Sequence, residues 1–66
     1  MKITVKLGGK AKRVDVREEG NALDVLRELK INPETVLVKR GKEIIMDDEE
    51  LGNGDEIEII KVVSGG

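Results

Sequence analysis

Two stretches at the start of the chain alternate between polar and apolar residues. Residues 2–7 and 11–17 both follow this period of two, which predicts half-buried strands. Gly8-Gly9-Lys10 separates them and is typical of a turn. We therefore predict an antiparallel hairpin. The side chains expected to face the core are Ile3, Val5, Leu7, Val14 and Val16.

The next segment repeats its apolar residues at helical spacing. These residues are Ala22, Leu23, Val25, Leu26 and Leu29. Asn21 is predicted to be the N-cap, and Asp24 is placed to favour the first turn. Asn32 is disfavoured in the α region because Pro33 follows it. The helix is therefore predicted to cover residues 22–30.

Three further apolar runs predict strands in the second half of the chain. They occupy residues 34–40, 43–46 and 56–62, and the turns between them contain Gly41-Lys42 and Gly52-Asn53-Gly54. The acidic run at residues 47–50 is predicted to be a loop or a single helical turn anchored by Leu51. It lacks the alternating ligand spacing of a calcium loop, so we expect a solvated loop and no metal site. A docking face for a basic partner is the alternative.

This order of elements defines a fold. A chain with one helix can cover only one face of one sheet, and the last strand can pair in parallel with the first beside the helix. We predict an α+β protein with a β-grasp fold, consisting of a mixed sheet of four to five strands and one packed helix. The domain is expected to cover residues 1–63, with a flexible Gly-Gly tail at 64–66.

The last strand carries more apolar residues than one covered face requires. Ile57 and Ile59 face the helix if the neighbouring glutamates face water. Ile60 and Val62 then fall on the same face as the glutamates, where a strand with one wet face would be polar.

The middle strand has the same excess, because Val36, Leu37 and Val38 are consecutive. Either Leu37 points inward and both valines outward, or the reverse. Two explanations stay open: the segment 44–46 covers these residues, or they form an exposed patch that docks a protein. Such a patch would be made by Val38, Ile60 and Val62.

Composition excludes several classes of chemistry. The 66 residues include no Cys, His or aromatic residue, and the net charge is −2. Thiol and imidazole catalysis, base stacking and binding to anionic membranes or nucleic acids are therefore disfavoured. No apolar run is long enough for a membrane span or a signal sequence, so we expect a cytoplasmic monomer. Ser64 has no base to activate it and is expected to be a small tail residue.

The tail offers one remaining reactive group. Gly65-Gly66 has no Cβ atom, so it is sterically open and can thread a narrow channel. The alternative is an inert, frayed end. With side-chain chemistry removed, the α-carboxylate of Gly66 is the group that we expect to react.

Three stretches of the chain together resemble a known family. They are residues 32–41, the Leu51-Gly52-Asn53-Gly54-Asp55 entry with its strand to Ile60, and Val63-Ser64-Gly65-Gly66. They are similar to the ubiquitin-like β-grasp sulfur carriers, which include the thiamine-biosynthesis sulfur carrier and the small subunit of molybdopterin synthase.

The resemblance implies a protein that is a co-substrate, not an enzyme. In that family an adenylating enzyme uses ATP and magnesium to activate the terminal carboxylate, here Gly66. A sulfur donor then displaces AMP and leaves a thiocarboxylate, which a downstream synthase consumes. No cofactor is expected to stay bound to the carrier.

Matching the chain to ubiquitin around Gly41 and the tail implies a recognition surface. It places Val38 and Ile60 on that surface and turns Leu37 inward, and Val62 and Ser64 beside the tail are expected to contact the partner as well.

The resemblance leaves the pathway open among thiamine synthesis, molybdopterin synthesis and tRNA thiolation. Two rival functions also stay open: a ubiquitin-like modifier joined to target lysines through Gly66, and a non-catalytic β-grasp interaction domain.

Overall fold

Residues 1–62 form five strands, one α-helix and one short 3-10 helix. The computed structural model describes residues 1–62. The elements in chain order are β1 (Lys2–Leu7), β2 (Lys10–Asp15), α1 (Ala22–Glu28), a 3-10 helix (Pro33–Thr35), β3 (Val36–Arg40), β4 (Glu43–Ile45) and β5 (Glu56–Lys61).

All five strands belong to one mixed sheet with the order β2-β1-β5-β3-β4. β1 and β5 are parallel, with Val5 opposite Ile57 and Leu7 opposite Ile59. The other neighbouring strands are antiparallel. The predicted hairpin, the parallel pairing of the first and last strands and the β-grasp arrangement are therefore confirmed. The chain's last described strand lies at the centre of the sheet.

The helix covers one face of this sheet, and the core lies between them. The buried side chains are Ile3, Val5, Val14, Val16, Ala22, Val25, Leu26, Val36, Val38, Ile45, Leu51, Ile57 and Ile59. None of the buried residues among 1–62 is polar or charged, so packing of aliphatic side chains supplies the stabilisation. Within the same residues no helix is long and apolar enough to cross a membrane.

Leu7 departs from the prediction that it faces the core. Its side chain is 37% exposed, although its parallel partner Ile59 is buried. Leu7 is the last residue of β1, and the Gly8-Gly9 turn that follows has no side chain to cover it.

The helix begins as predicted, at a reciprocal capping box. The Asn21 side-chain oxygen accepts a hydrogen bond from the Asp24 backbone N–H at 3.0 Å, and the Asp24 carboxylate accepts one from the Asn21 N–H at 2.9 Å. The Leu23 N–H donates to the Asp47 carbonyl at 2.8 Å. Three of the backbone N–H groups at the start of the helix are thus satisfied.

The helix ends at Glu28, before the predicted end at residue 30. Lys30 adopts a left-handed backbone with φ of 59°. The Ile31 N–H donates to the Leu26 carbonyl, and the Lys30 N–H donates to the Arg27 carbonyl. This is the Schellman arrangement, so the helix is already closed before Asn32 and Pro33.

The predicted strand at residues 34–40 begins later than expected. Pro33–Thr35 form a 3-10 turn, because the Asn32 side chain accepts from the Glu34 N–H and the Asn32 carbonyl accepts from the Thr35 N–H. β3 therefore starts at Val36.

Candidate functional site

The tail that the sequence marks as reactive lies outside the described residues. Its residues are Ser64, Gly65 and Gly66, and Val63 before them also lies outside the described part of the chain. The structure does describe the strand that leads to it. β5 pairs with β1 on one side and β3 on the other, and the Val62 N–H donates to the Thr35 carbonyl at 2.9 Å. The base of the tail is therefore fixed at the centre of the sheet.

Next to this base lies an apolar surface on the sheet face opposite the helix. Leu37 and Ile60 are direct cross-strand partners, so their side chains share a face. Leu37 is 42% exposed and Ile60 is half-buried. Val62 follows on the same face by strand alternation and is 37% exposed. We call Leu37, Ile60 and Val62 the tail-side patch.

The expectation that Val38 faces outward is wrong, and so is the expectation that Leu37 turns inward. Val38 is only 3% exposed and packs in the core, as does Val36 at 7%. The physical reason is the register of β3 on β5. Glu58 points to water, so Ile60 does too, and Leu37 opposite Ile60 must share that face.

The predictions for Ile60 and Val62 concern partner binding, and they stay predictions. The structure brings both residues together with Leu37 beside the base of the tail. It does not bring Val38 into that group. The partner role of Ser64 lies outside the described residues.

Two further exposed apolar residues were missed by the sequence reasoning. Ile44 is 57% exposed and Met46 is 71% exposed. Leu37 and Val62 stay 42% and 37% exposed, so the segment 44–46 does not bury the tail-side patch. This removes the first of the two open explanations for its apolar residues. The signal that could have found them is alternation: Ile45 is the buried member of the segment, so its two neighbours point the other way.

Charges surround the tail-side patch in complementary pairs. Lys6 and Glu56 form an ion pair at 3.2 Å across β1 and β5, and both side chains are more than half exposed. Lys39 stands opposite Glu58 on β3 and β5. Exposed pairs of this kind contribute little stability, but they leave the apolar residues as the distinctive feature of this face.

Among residues 1–62, no group of three or more acidic side chains is arranged to hold a metal ion. The hydrogen bond from the Asn21 backbone N–H holds the pKa of the Asp24 carboxyl below its ordinary value, and Arg17 adds to this. Asp24 belongs to the helix cap.

Comparison with solved structures defines the class of protein. SAMP1 from Haloferax volcanii superposes over the whole of both chains with a TM-score of 0.76 and 25% sequence identity. Caldiarchaeum subterraneum ubiquitin superposes over all of this chain and 98% of its own, with a TM-score of 0.72 and 22% identity. The chain is thus a ubiquitin-like β-grasp protein.

Sequence comparison narrows the class to a family. The model of the ThiS family matches residues 4–66, and the chain belongs to this family. It is also 35% identical over 66 residues to the sulfur carrier protein TtuB from Thermus thermophilus, with both chains covered completely.

Proposed function

We propose that this protein is a sulfur carrier, in which the α-carboxylate of Gly66 is activated by a partner enzyme and converted to a thiocarboxylate. The observation that carries the proposal is similarity that runs through the tail. The ThiS family model matches as far as Gly66, and a sulfur carrier protein is 35% identical over its whole length.

The proposed reaction needs two displacements. A carboxylate oxygen of Gly66 attacks the α-phosphorus of ATP, and pyrophosphate leaves, giving an acyl adenylate. A sulfur nucleophile at the oxidation level of sulfide then attacks the carbonyl carbon. The bond from that carbon to the AMP oxygen breaks, and the thiocarboxylate remains. ATP and Mg²⁺ belong to the partner's site, where cations stabilise the developing negative charge.

The composition of the chain suits a co-substrate. The sequence has no Cys and no His, so it lacks the usual thiol nucleophile and imidazole base. What it provides is an unhindered carboxylate, because glycine has no Cβ to block access. The adenylating enzyme is therefore the proposed source of all catalytic side chains.

The tail-side patch is the proposed binding surface for the adenylating enzyme. Leu37, Ile60 and Val62 lie beside the strand that leads to the tail, and this strand is paired on both sides. A partner that binds the patch thereby fixes the point where the tail begins. The four residues 63–66 can span at most about 14 Å. The adenylation site should lie within that distance of the patch.

The sulfur acceptor is proposed to be a synthase of thiamine or molybdopterin biosynthesis, or a tRNA-thiolating enzyme. The ThiS family match supports this group of acceptors together.

The mass of the intact protein tests the proposal. The chain is incubated with ATP, Mg²⁺, a sulfur source and the adenylating enzyme of its own organism. We expect the mass to rise by the exchange of one oxygen for sulfur, and only when ATP is present. An unchanged mass, with an enzyme that thiolates its own known carrier, would contradict the proposal.

A sulfur carrier and a ubiquitin-like modifier begin with the same adenylate, so the same reaction can test both. They differ in the product that follows. When a cell lysate is added to the reaction as a source of target proteins, a modifier would become linked to lysines of those proteins. A carrier gives the thiocarboxylate without such adducts. A non-catalytic interaction domain gives neither product.

A further inference from the structure

An apolar groove opens where β4 ends. β4 pairs with β3 only along Val38–Arg40, so Val36 and Leu37 have no strand on that side among the described residues. The space beside them has a volume of about 210 Å³. Its main lining residues are Leu26, Pro33, Val36, Leu37, Ile44 and Met46. We call this space the β4-end groove.

The walls of the groove suit one large apolar side chain. Ile44 and Met46 are 57% and 71% exposed, which leaves much apolar area for a partner to cover. A cavity of about 150 Å³ accepts a benzene ring, so the β4-end groove can hold a leucine or methionine side chain. Met46 is unbranched and polarizable, so it can adapt to the shape of its occupant.

The charge beside the groove selects the partner. Asp47 and the three residues after it form a run of four acidic side chains, in which Glu49 is paired with Arg40 at 3.1 Å. Asp47 itself lines the groove, and the exposed residues Asp48, Glu49 and Glu50 follow it.

This acidic segment is held in a defined position. The Asp47 carbonyl accepts from the Leu23 N–H, and the Leu51 N–H donates to the Gly20 carbonyl at 2.9 Å. The Arg40 guanidinium donates to the Glu49 carboxylate at 3.1 Å and to the Glu50 carbonyl at 3.3 Å. Because the segment is fixed in advance, binding a cationic partner costs little ordering entropy.

We propose that the β4-end groove is a second docking surface, and that it binds a partner segment with one large apolar residue flanked by Lys or Arg. The groove supplies the pocket for the apolar side chain, and the acidic segment supplies the complementary charge. The surface lies on the β4 side of β3, one strand across from the end of β5, and it shares Leu37 with the tail-side patch. The inference is independent of the chemistry of Gly66.

Synthetic peptides and NMR test this surface in the intact protein. The probe is acetyl-Lys-Arg-Leu-Arg-Lys-amide, and the charge-matched control replaces its Leu by Ser. We expect amide shifts at residues 44–50, with about tenfold weaker binding of the Ser peptide. High salt should weaken the binding of both peptides. Equal binding of the two peptides, or shifts spread evenly over all acidic residues, would overturn the inference.

Variants locate the apolar contact. Ile44→Ser should weaken the binding of the Leu peptide about tenfold, whereas Leu7→Ser, at an exposed leucine distant along the sheet, should not change it. If Ile44→Ser loses dispersed amide signals, Met46→Ser is the substitute because its side chain is more exposed. A folded variant that keeps full affinity for the Leu peptide contradicts the groove.

A charge reversal locates the acidic contact. Asp48→Lys should weaken the binding of the Leu peptide. Glu28→Lys, on the helix, should leave the affinity for the Leu peptide unchanged. Equal affinity of the two variants for the Leu peptide would overturn the proposed docking surface. It would leave the sulfur-carrier proposal intact, because the mass measurement above does not involve the groove.

Discussion

The neighbouring residues Leu37 and Val38 show how one step along a strand changes a side chain's role. Leu37 is 42% exposed on the sheet face that carries Ile60, and Val38 is 3% exposed under the helix. Three consecutive apolar residues give no alternation from which to choose a face. Only the pairing of Leu37 with Ile60 decides it, and that pairing is a contact distant in sequence.

The two residues should therefore respond oppositely to truncation. Val38→Ala removes core packing and should lower the free energy of unfolding by about 2 kcal/mol. Leu37→Ala removes a surface side chain and should change it by no more than about 0.5 kcal/mol. Urea unfolding of both variants measures this difference. The reverse order of stabilities would mean that the register of β3 is wrong.

Ile60 is the residue on which partner binding should depend most. Ile60→Glu adds a third glutamate to a face that already carries Glu56 and Glu58, and we expect the domain to stay folded. Binding to the adenylating enzyme should weaken by about tenfold or more, because an apolar contact is replaced by a charge. Calorimetric titration measures the affinity, and circular dichroism reports the fold. An unfolded variant would show that Ile60 belongs to the core instead.

At the scale of the element, the start of the helix could be predicted from the sequence and its end could not. Asn21 and Asp24, which form the capping box, are three positions apart, so local sequence is sufficient to predict it. The end depends on Lys30 adopting a left-handed backbone, which few non-glycine residues do. The sequence has no glycine at position 30 that would indicate a left-handed residue and the end of the helix.

The capping box should make stability depend on pH in one direction. The pKa of Asp24 is lowered in the folded state from an ordinary value of 3.8, so folding favours its charged form. The stabilisation is present above that ordinary value and is lost as the pH falls through the lower folded pKa. Asp24→Asn should therefore be less stable than the wild-type protein at neutral pH, and the difference should vanish in acid.

Thermal unfolding of Asp24→Asn and the wild-type protein across this pH range is the measurement. Glu28→Gln on the same helix is the matched control, because Glu28 takes no part in the capping box. A difference between Asp24→Asn and the wild-type protein that is the same at every pH would show that the charge of Asp24 does not stabilise the helix.

At the scale of the molecule, the sequence predicted the fold well because its strands mostly alternate and its one helix is strongly amphipathic. The candidate site was predicted less well. Elimination of side-chain chemistry pointed to the tail and depended only on composition. The surface beside the tail depended on strand register, and the exposure of Ile44 and Met46 depended on Ile45 being the buried residue between them.

If the folded domain supplies the stability and the tail supplies the reactive group, a change in the tail should affect reactivity without affecting stability. Deleting Gly66 should leave the unfolding temperature unchanged, because the core described above ends at Ile59. The same deletion should abolish sulfur loading, because the carboxylate then sits one residue short of its position in the partner's site. Loss of stability would mean that the tail contributes to the fold.

The most direct test of the central claim locates the sulfur atom. After the loading reaction, the protein is digested and its C-terminal peptide is analysed by mass spectrometry. We predict that the added sulfur replaces one carboxylate oxygen of Gly66 and that no other peptide gains a sulfur atom. Added sulfur on another peptide, with a C-terminal peptide of unchanged mass, would contradict the account.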